Sequence, residues 1–203
     1  SIVVDIIHAA GWPIWPLIFA SIMAVAIIFE RFWALRASII APDNLLLEAQ
    51  KMITKDGVRK EAIETLQNHS MLGEIFASAL NNYSSPSEII KESIEETGRA
   101  VNHKLEKYLS TLGTIATVAP LLGLFGTIIG MVELFSSFTS SGNDVAVFAR
   151  GISIALYNTA GGIVVAVPAM IAYRFFRTKI DTLIVEMEQQ AIKLVEIING
   201  KRK

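Results

Sequence analysis

The sequence predicts an all-α membrane protein that crosses the bilayer with three helices, two of which extend far into the cytoplasm. Hydrophobic residues make up 52% of its 203 residues and charged residues only 18%, unlike the usual composition of a soluble domain. The apolar residues are concentrated in three runs, at 12–29, 112–135 and 151–173. Each run approaches the roughly 20 helical residues that span a hydrocarbon core of about 30 Å, so each can cross a membrane.

The first predicted span covers residues 12–32, and we interpret it as a retained helix rather than a cleaved signal peptide. Asp5 and His8 precede it where a signal peptide has a basic cluster, and Glu30 and Arg31 follow where a small-residue cleavage site would lie. We expect Glu30 and Arg31 to anchor the inner membrane surface. An ion pair with the cytoplasmic helices or a contact with an anionic lipid is the alternative role.

Apolar residues spaced by three and four predict the helices that follow. The spacing from Ile94 to Leu112 predicts one continuous helix that leads into the second span, and the spacing from Ile180 to Ile198 predicts a helix that continues out of the third. Such stripes need neighbours, so we expect packing against shorter helices in residues 43–97 and against other copies of the chain. The predicted segments besides the first span are an outer N-terminus (1–11), a cytoplasmic helical domain (33–111), the second span (112–138), an outer loop (139–147), the third span (148–174) and a cytoplasmic C-terminal helix (175–203).

The basic residues predict the orientation in the membrane. Ten lie within residues 31–107, seven lie from Arg174 onward, and Arg150 is the last of the eighteen. Because basic loops stay in the cytoplasm, the long middle segment and the tail are expected inside. The N-terminus and the loop 136–149 are expected outside.

The composition also excludes several classes of function. A formal net charge of −1 argues against a nucleic-acid partner, which favours a concentrated basic surface. Without cysteine the chain has no thiolate nucleophile and no cysteine-based metal site. His8, His69 and His103 are too scattered to indicate a metal site, and no glycine-rich loop with a lysine indicates ATP binding. We therefore expect no catalytic residues, no metal and no cofactor.

Polar side chains inside the last two apolar runs are the candidate functional residues. Glu133 is the one acidic residue within an apolar run, and a carboxylate there is costly unless it faces the bundle interior or water. The alternative is that Glu133 reaches the headgroups from the outer end of its helix. Counted from residue 138, Glu133 lies roughly 7 Å and Thr127 roughly 16 Å below the outer surface. Counted from residue 148, Thr159 also lies roughly 16 Å deep.

The shared depth of Thr127 and Thr159 favours an ion or water path beside them. A single membrane threonine more often bonds the carbonyl four residues earlier, so neither residue alone would be strong evidence. Asn158 adds polarity next to Thr159, and we predict that it lines the same path. Small residues that allow close helix packing accompany these polar ones: Gly123, Gly126, Gly130, Gly161 and Gly162.

Two stretches of the chain closely resemble the ExbB/TolQ/MotA family. They are APLLGLFGTIIG at 119–130 and GISIALYNTA at 151–160, the latter followed by AVPA at 166–169. The order of elements agrees over nearly the whole chain. By this resemblance Thr127 and Thr159 fall on the two pore-facing threonines of the family.

The resemblance implies the larger subunit of a proton-driven motor in the bacterial inner membrane, with a periplasmic N-terminus and a cytoplasmic C-terminus. Family members form a homo-oligomeric ring, a pentamer in the well-known members, around the membrane helices of a smaller ExbD- or TolR-type partner. That partner supplies the aspartate that takes the proton. In an ExbB-like protein the work goes to TonB, which opens outer-membrane transporters for siderophores, haem or vitamins.

Three other roles stay open. The chain could be a TolQ-type subunit that supports envelope integrity, a stator subunit of another machine, or a structural scaffold of a membrane complex. A scaffold has no need of polar residues matched in depth. The first two alternatives keep the ring and change what it drives.

One position departs from the family pattern. Family members commonly carry a glutamate in the third span where this chain has Ile154, which lies roughly 9 Å below the outer surface. That depth is close to the depth of Glu133 on the neighbouring span. Our hypothesis is that the carboxylate has moved from one helix to the other.

Overall fold

The computed structural model describes residues 1–136 and 145–201, and every regular element within them is an α-helix. The helices in chain order are α1 (Ile2–Ala10), α2 (Ile14–Ala34), α3 (Ala37–Ile40), α4 (Leu45–Asp56), α5 (Lys60–Gln67), α6 (Met71–Leu80), α7 (Ser87–Leu105), α8 (Leu109–Ser136) and α9 (Val145–Ile198). They form two compact units. The first contains Ser1–Glu30 and Tyr108–Phe175, and the second contains Arg31–Lys107 and Phe176–Lys203.

Among the described residues, α2, α8 and α9 are long and apolar enough to cross a membrane. This confirms the predicted class, an all-helical membrane protein with three transmembrane helices. The predicted outer end of the second span, residue 138, and most of the predicted outer loop lie outside the described residues.

The first unit has a small core with large apolar side chains around it. Its buried cluster consists of small and medium side chains, namely Ala10, Ile14, Leu17, Ala119 and Ala166. Many large side chains on its outer faces are exposed, among them Phe19 (66%) and Leu156 (65%). Such a distribution is expected for helices whose outer faces contact lipid or other membrane helices rather than water.

The second unit buries large apolar side chains, as a water-soluble domain does. On α6, which is mostly buried, Leu72, Ile75 and Phe76 are fully buried. The stripe predicted on α7 is buried at Ile94, Val101 and Leu105. The stripe predicted on the tail is buried at Ile180, Met187, Ala191 and Leu194. Both stripes are therefore packing faces.

The helix before the second span is interrupted, so the prediction of one continuous helix into that span was wrong. Helix α7 ends at Leu105 and α8 begins at Leu109. Between them Tyr108 has φ = 66°, a left-handed conformation that ends a right-handed helix. Leu105, Leu109 and Leu112 are all buried. The apolar spacing therefore continues across the break, and for this reason the sequence pattern did not predict the break. In contrast, α9 continues without interruption from the third span to Ile198, as predicted.

Candidate functional site

Glycines bring α8 and α9 into close contact along the first unit. A Cβ atom on Gly123 would lie 2.8 Å from the carbonyl oxygen of Asn158, and one on Gly162 would lie 2.8 Å from that of Ala119. A Cβ on Gly151 would lie 2.6 Å from the carbonyl oxygen of Gly130. These distances are too short for real Cβ atoms, so the backbones approach to a separation that only glycine permits.

Gly161 lies on a different face of α9. A Cβ there would meet the side-chain ends of Ile14 at 3.0 Å and Leu17 at 3.5 Å, both on α2. The two neighbouring glycines of α9 therefore serve two contacts. Gly162 faces α8 and Gly161 faces α2.

The close approach places the hydroxyl groups of Thr127 and Thr159 in direct hydrogen-bond contact across α8 and α9. Each hydroxyl also lies near the carbonyl oxygen four residues earlier, at 3.2 Å from Gly123 for Thr127 and at 2.9 Å from Ala155 for Thr159. The Ala155 carbonyl is within 3.3 Å of the Thr127 hydroxyl as well. The two residues thus make the local bonds common for membrane threonines and also pair with each other.

The chemistry of this pair follows from its count of protons and acceptors. Each hydroxyl carries one proton and can accept two hydrogen bonds. The two protons can be directed to the Gly123 carbonyl, to the Ala155 carbonyl or to the other hydroxyl. The pair can therefore exchange between hydrogen-bond patterns by rotation of its hydroxyls. In the single chain Thr159 is exposed and Thr127 is partly buried. The hydroxyl pair can therefore be reached from the side of the helix bundle.

The structure places Asn158 away from this surface. Its side chain is fully buried, and its amide nitrogen donates to the carbonyl oxygens of Ala10 and Ile154, both at 2.8 Å. Its amide oxygen is buried without a hydrogen-bond partner among the described residues. Because successive helical residues are rotated by about 100°, Asn158 faces the interior of the bundle while Thr159 faces outward. Asn158 therefore holds α1 to α9 and does not line the surface that Thr159 reaches.

Glu133 forms an ion pair with Arg150, a partner that the sequence analysis did not assign. The Arg150 Nε atom lies 3.2 Å from Glu133 Oε2, and the side chains are 63% and 32% exposed, respectively. One signal in the sequence pointed to this pair. Arg150 is the single Lys or Arg outside the two segments predicted to be cytoplasmic, as Glu133 is the single acidic residue within an apolar run.

Ile154 is buried in a packing contact. It is 1% exposed, and its Cγ1 atom would lie 3.3 Å from a Cβ on Gly11, in the turn between α1 and α2. Ile154 and Glu133 thus have different surroundings, one apolar and buried, the other polar and partly exposed. That Glu133 replaces a carboxylate at position 154 stays a hypothesis.

Arg31 makes a buried contact at the end of the first span. It is 4% exposed, and its Nη1 atom donates to the carbonyl oxygen of Leu105 at 2.8 Å. Leu105 is the last residue of α7, where carbonyls lack partners within the helix and the helix dipole is negative. The structure thus shows Arg31 bonded to the backbone of α7, a helix in the segment predicted to be cytoplasmic. Glu30, the other predicted anchor, is partly buried.

Known proteins match the sequence over most of the chain. Residues 67–189 match the MotA/TolQ/ExbB proton channel family. An ExbB-like biopolymer transport protein of Synechocystis sp. is 28% identical over 81% of this chain and 66% of its own length. Biopolymer transport protein exbB1 of Vibrio cholerae is 24% identical over 88% of this chain and 80% of its own. The Tol-Pal system protein TolQ of Pseudomonas aeruginosa is 30% identical over 83% and 78%.

Proposed function

Because the chain belongs to the MotA/TolQ/ExbB proton channel family, we propose that it is the ExbB-type subunit of a proton-driven motor in the bacterial inner membrane. With an ExbD-type partner it energises TonB-dependent uptake across the outer membrane. The chain assembles with its own copies into a ring, a pentamer as in the well-known members of the family. Its N-terminus lies in the periplasm and its C-terminus in the cytoplasm, since the basic segments are retained inside.

The observation that carries this proposal is the hydroxyl pair of Thr127 and Thr159. The two side chains come from different spans, are predicted to lie at matched depth, and contact each other at a crossing that glycines keep narrow. In a low-dielectric setting a proton or a water molecule needs groups that both donate and accept hydrogen bonds. The pair supplies such groups beside the place where the partner's aspartate would be. The chain itself acts as a conduit, and no residue needs to form a covalent bond.

A TolQ-type role in envelope integrity is the second candidate. It is favoured by the 30% identity to TolQ of Pseudomonas aeruginosa over most of both chains, which is as high as the identity to several ExbB proteins. Both candidates use the same ring and hydroxyl pair. They differ in the small partner and in the process that is driven.

The test of the conduit is the replacement of either hydroxyl by a methyl group. We expect Thr127→Val and Thr159→Val each to lower proton uptake by about tenfold or more, because a hydrogen bond lost from a path that the proposed ring encloses costs about 1–3 kcal/mol. Uptake would be measured with a pH-sensitive dye in vesicles that contain the chain together with its co-expressed small partner.

Thr117→Val is the matched control. Thr117 lies on the same helix and bonds the Gly113 carbonyl at 3.0 Å, four residues earlier, but among the described residues it forms no hydrogen bond to a second threonine. Thr117→Val should therefore leave proton uptake close to that of the unsubstituted chain. Equal effects of all three substitutions would show that a local hydroxyl bond matters and the cross-helix pair does not.

The driven process would be identified separately. Mass spectrometry of the proteins that co-purify with the chain distinguishes an ExbD and TonB set from a TolR and TolA set. Deletion of the gene should impair growth under iron limitation if the chain is of ExbB type. Detergent sensitivity with normal iron-limited growth would favour the TolQ type.

A further inference from the structure

The ion pair between Glu133 and Arg150 joins the outer ends of two membrane helices. Glu133 lies in the last turn of α8 and Arg150 lies in the second turn of α9. The Ser136 hydroxyl donates to the Glu133 carbonyl oxygen at 2.6 Å, which closes the last turn of α8 beside the pair. The pair lies beside the close contact of the two helices at Gly130 and Gly151.

The glycine crossing explains why these two side chains meet. Gly130 lies three residues before Glu133, and Gly151 follows Arg150 directly. A Cβ on Gly151 would lie 2.6 Å from the Gly130 carbonyl oxygen and 2.7 Å from the Leu134 nitrogen. With the backbones this close, two long side chains that flank the crossing can reach each other. The ion pair thus requires this register of α8 and α9, and the ion pair in turn stabilises the register.

Charge balance argues for treating the two residues as a unit. A single charge near the end of an apolar helix is unfavourable, whereas an opposite charge on a neighbouring helix offsets much of that cost. Replacing one residue of the pair leaves the charge of the other uncompensated, whereas replacing both leaves no uncompensated charge. The expectation is different if the Glu133 carboxylate must bind and release a proton in each cycle. A substitution of Glu133 would then lower uptake, and a second substitution at Arg150 could not restore it.

We propose that Arg150 is a positioning residue that neutralises Glu133, and that the pair clamps the outer ends of α8 and α9 above the Thr127–Thr159 hydroxyls. Glu133 then shapes the outer entrance through this clamp and does not carry the proton. The inference rests on the proposed function, because it assigns the proton path to the threonine pair. That pair lies six residues, or about 9 Å, below Glu133 on α8.

A double-substitution cycle tests the clamp. Glu133→Gln and Arg150→Gln would be made singly and together, and proton uptake would be measured in vesicles that contain the chain with its co-expressed small partner. We expect each single substitution to lower uptake about fivefold and the double substitution to return it to within about twofold of the unsubstituted chain, as for residues that act as a pair. Loss of activity in the double variant as severe as in Glu133→Gln would overturn the proposal, because the carboxylate itself would then be needed.

Arg150→Lys provides a second arm that keeps the charge. We expect it to retain most of the uptake that Arg150→Gln loses, because an ammonium group can still neutralise Glu133. An unchanged uptake in Arg150→Gln, or equal losses in Arg150→Lys and Arg150→Gln, would also contradict the clamp. Thermal unfolding midpoints of all variants in detergent would show the same coupling if the pair holds the helices together.

The two proposals fail in different ways. If Thr127→Val and Thr159→Val keep full proton uptake, the proposed conduit is wrong. The coupling between positions 133 and 150 would still be visible in the unfolding midpoints. If the threonine variants lose uptake and the double Gln variant does not recover it, the conduit stands and the clamp is wrong.

Discussion

Asn158 and Thr159 are adjacent in the sequence, yet they act on opposite sides of α9. Thr159 pairs with Thr127 at an exposed surface, while Asn158 is buried and tied to the Ala10 carbonyl. The buried amide oxygen of Asn158 lies against Gly126, where a Cβ would come within 2.8 Å of it and still closer to its neighbouring atoms. A side chain at position 126 would therefore overlap the Asn158 side chain.

Gly126→Ala should destabilise the chain. The added methyl group would overlap the Asn158 side chain, which two hydrogen bonds hold in place. Overpacking of this kind costs about 1–3 kcal/mol. The measurement is the thermal unfolding midpoint of the purified chain in detergent.

Gly161→Ala is the control for that substitution. Its Cβ would meet only the flexible ends of Ile14 and Leu17, which can move by a few tenths of an ångström. Its unfolding midpoint should stay closer to that of the unsubstituted chain. Equal midpoints for the two variants would mean that Asn158 is not held as firmly as its hydrogen bonds imply.

At the scale of the element, the packing of α7 against the C-terminal part of α9 puts two glutamates in opposite surroundings. Glu188 of α9 packs against Gly98 of α7, and burial raises its pKa, with a further contribution from the nearby charge of Glu95. Glu106, which follows α7, bonds Arg177 of α9 at 2.5 Å, and this hydrogen bond lowers its pKa against an opposing effect of burial. The two carboxyls therefore have opposite effects on stability as pH changes.

Glu188→Gln should stabilise the chain at neutral pH. Because the folded pKa is raised above the ordinary 4.5, the folded state favours the protonated form, and stability falls as pH rises from 4.5 through the folded pKa. The neutral amide removes this penalty. Unfolding midpoints measured at a series of pH values should show the gain near pH 7 and its loss below 4.5.

Glu106→Gln should have the opposite effect. Its folded pKa is lowered, so its stabilisation is complete above the ordinary 4.5 and is lost as pH falls through the folded value. The variant should be less stable than the unsubstituted chain near neutral pH and should approach it in strong acid. The same pH series measures this, and a constant difference at all pH values would contradict the ion pair with Arg177 as the cause.

At the scale of the whole molecule, the distribution of basic residues predicts which ends of the spans meet the cytoplasm. The chain has no cysteine, so a single introduced cysteine reports its own side of the membrane. Val145 is 76% exposed at the start of α9 and belongs to the segment predicted outside. Lys55 is exposed on α4, in the segment predicted inside.

A membrane-impermeant maleimide should label Val145→Cys in spheroplasts without further treatment. It should label Lys55→Cys only after the inner membrane is permeabilised, because the ten basic residues of 31–107 predict that this segment lies in the cytoplasm. The unsubstituted chain, which lacks cysteine, is the control for background labelling. The reverse labelling pattern would invert the proposed topology.

Several features of the fold and the site were predictable because they repeat along one segment. The spans follow from the length of the apolar runs, and the buried faces of α7 and α9 follow from spacings of three and four. The depth match of Thr127 and Thr159 followed from counting residues along two helices. The break at Tyr108 was not predictable, because the apolar residues keep the spacing of a continuous helix across it. The break is visible in the positive φ angle of Tyr108.

The sequence by itself determined the class of protein, its three spans and the residues worth considering, because length and periodicity measure burial within one helix. Only the tertiary structure decided that Asn158 faces inward, that Arg31 bonds the end of α7 and that Glu133 meets Arg150. Each of these contacts depends on how two helices are rotated toward each other. That rotation is set by the packing of side chains from several segments at once, and no single stretch of sequence contains it.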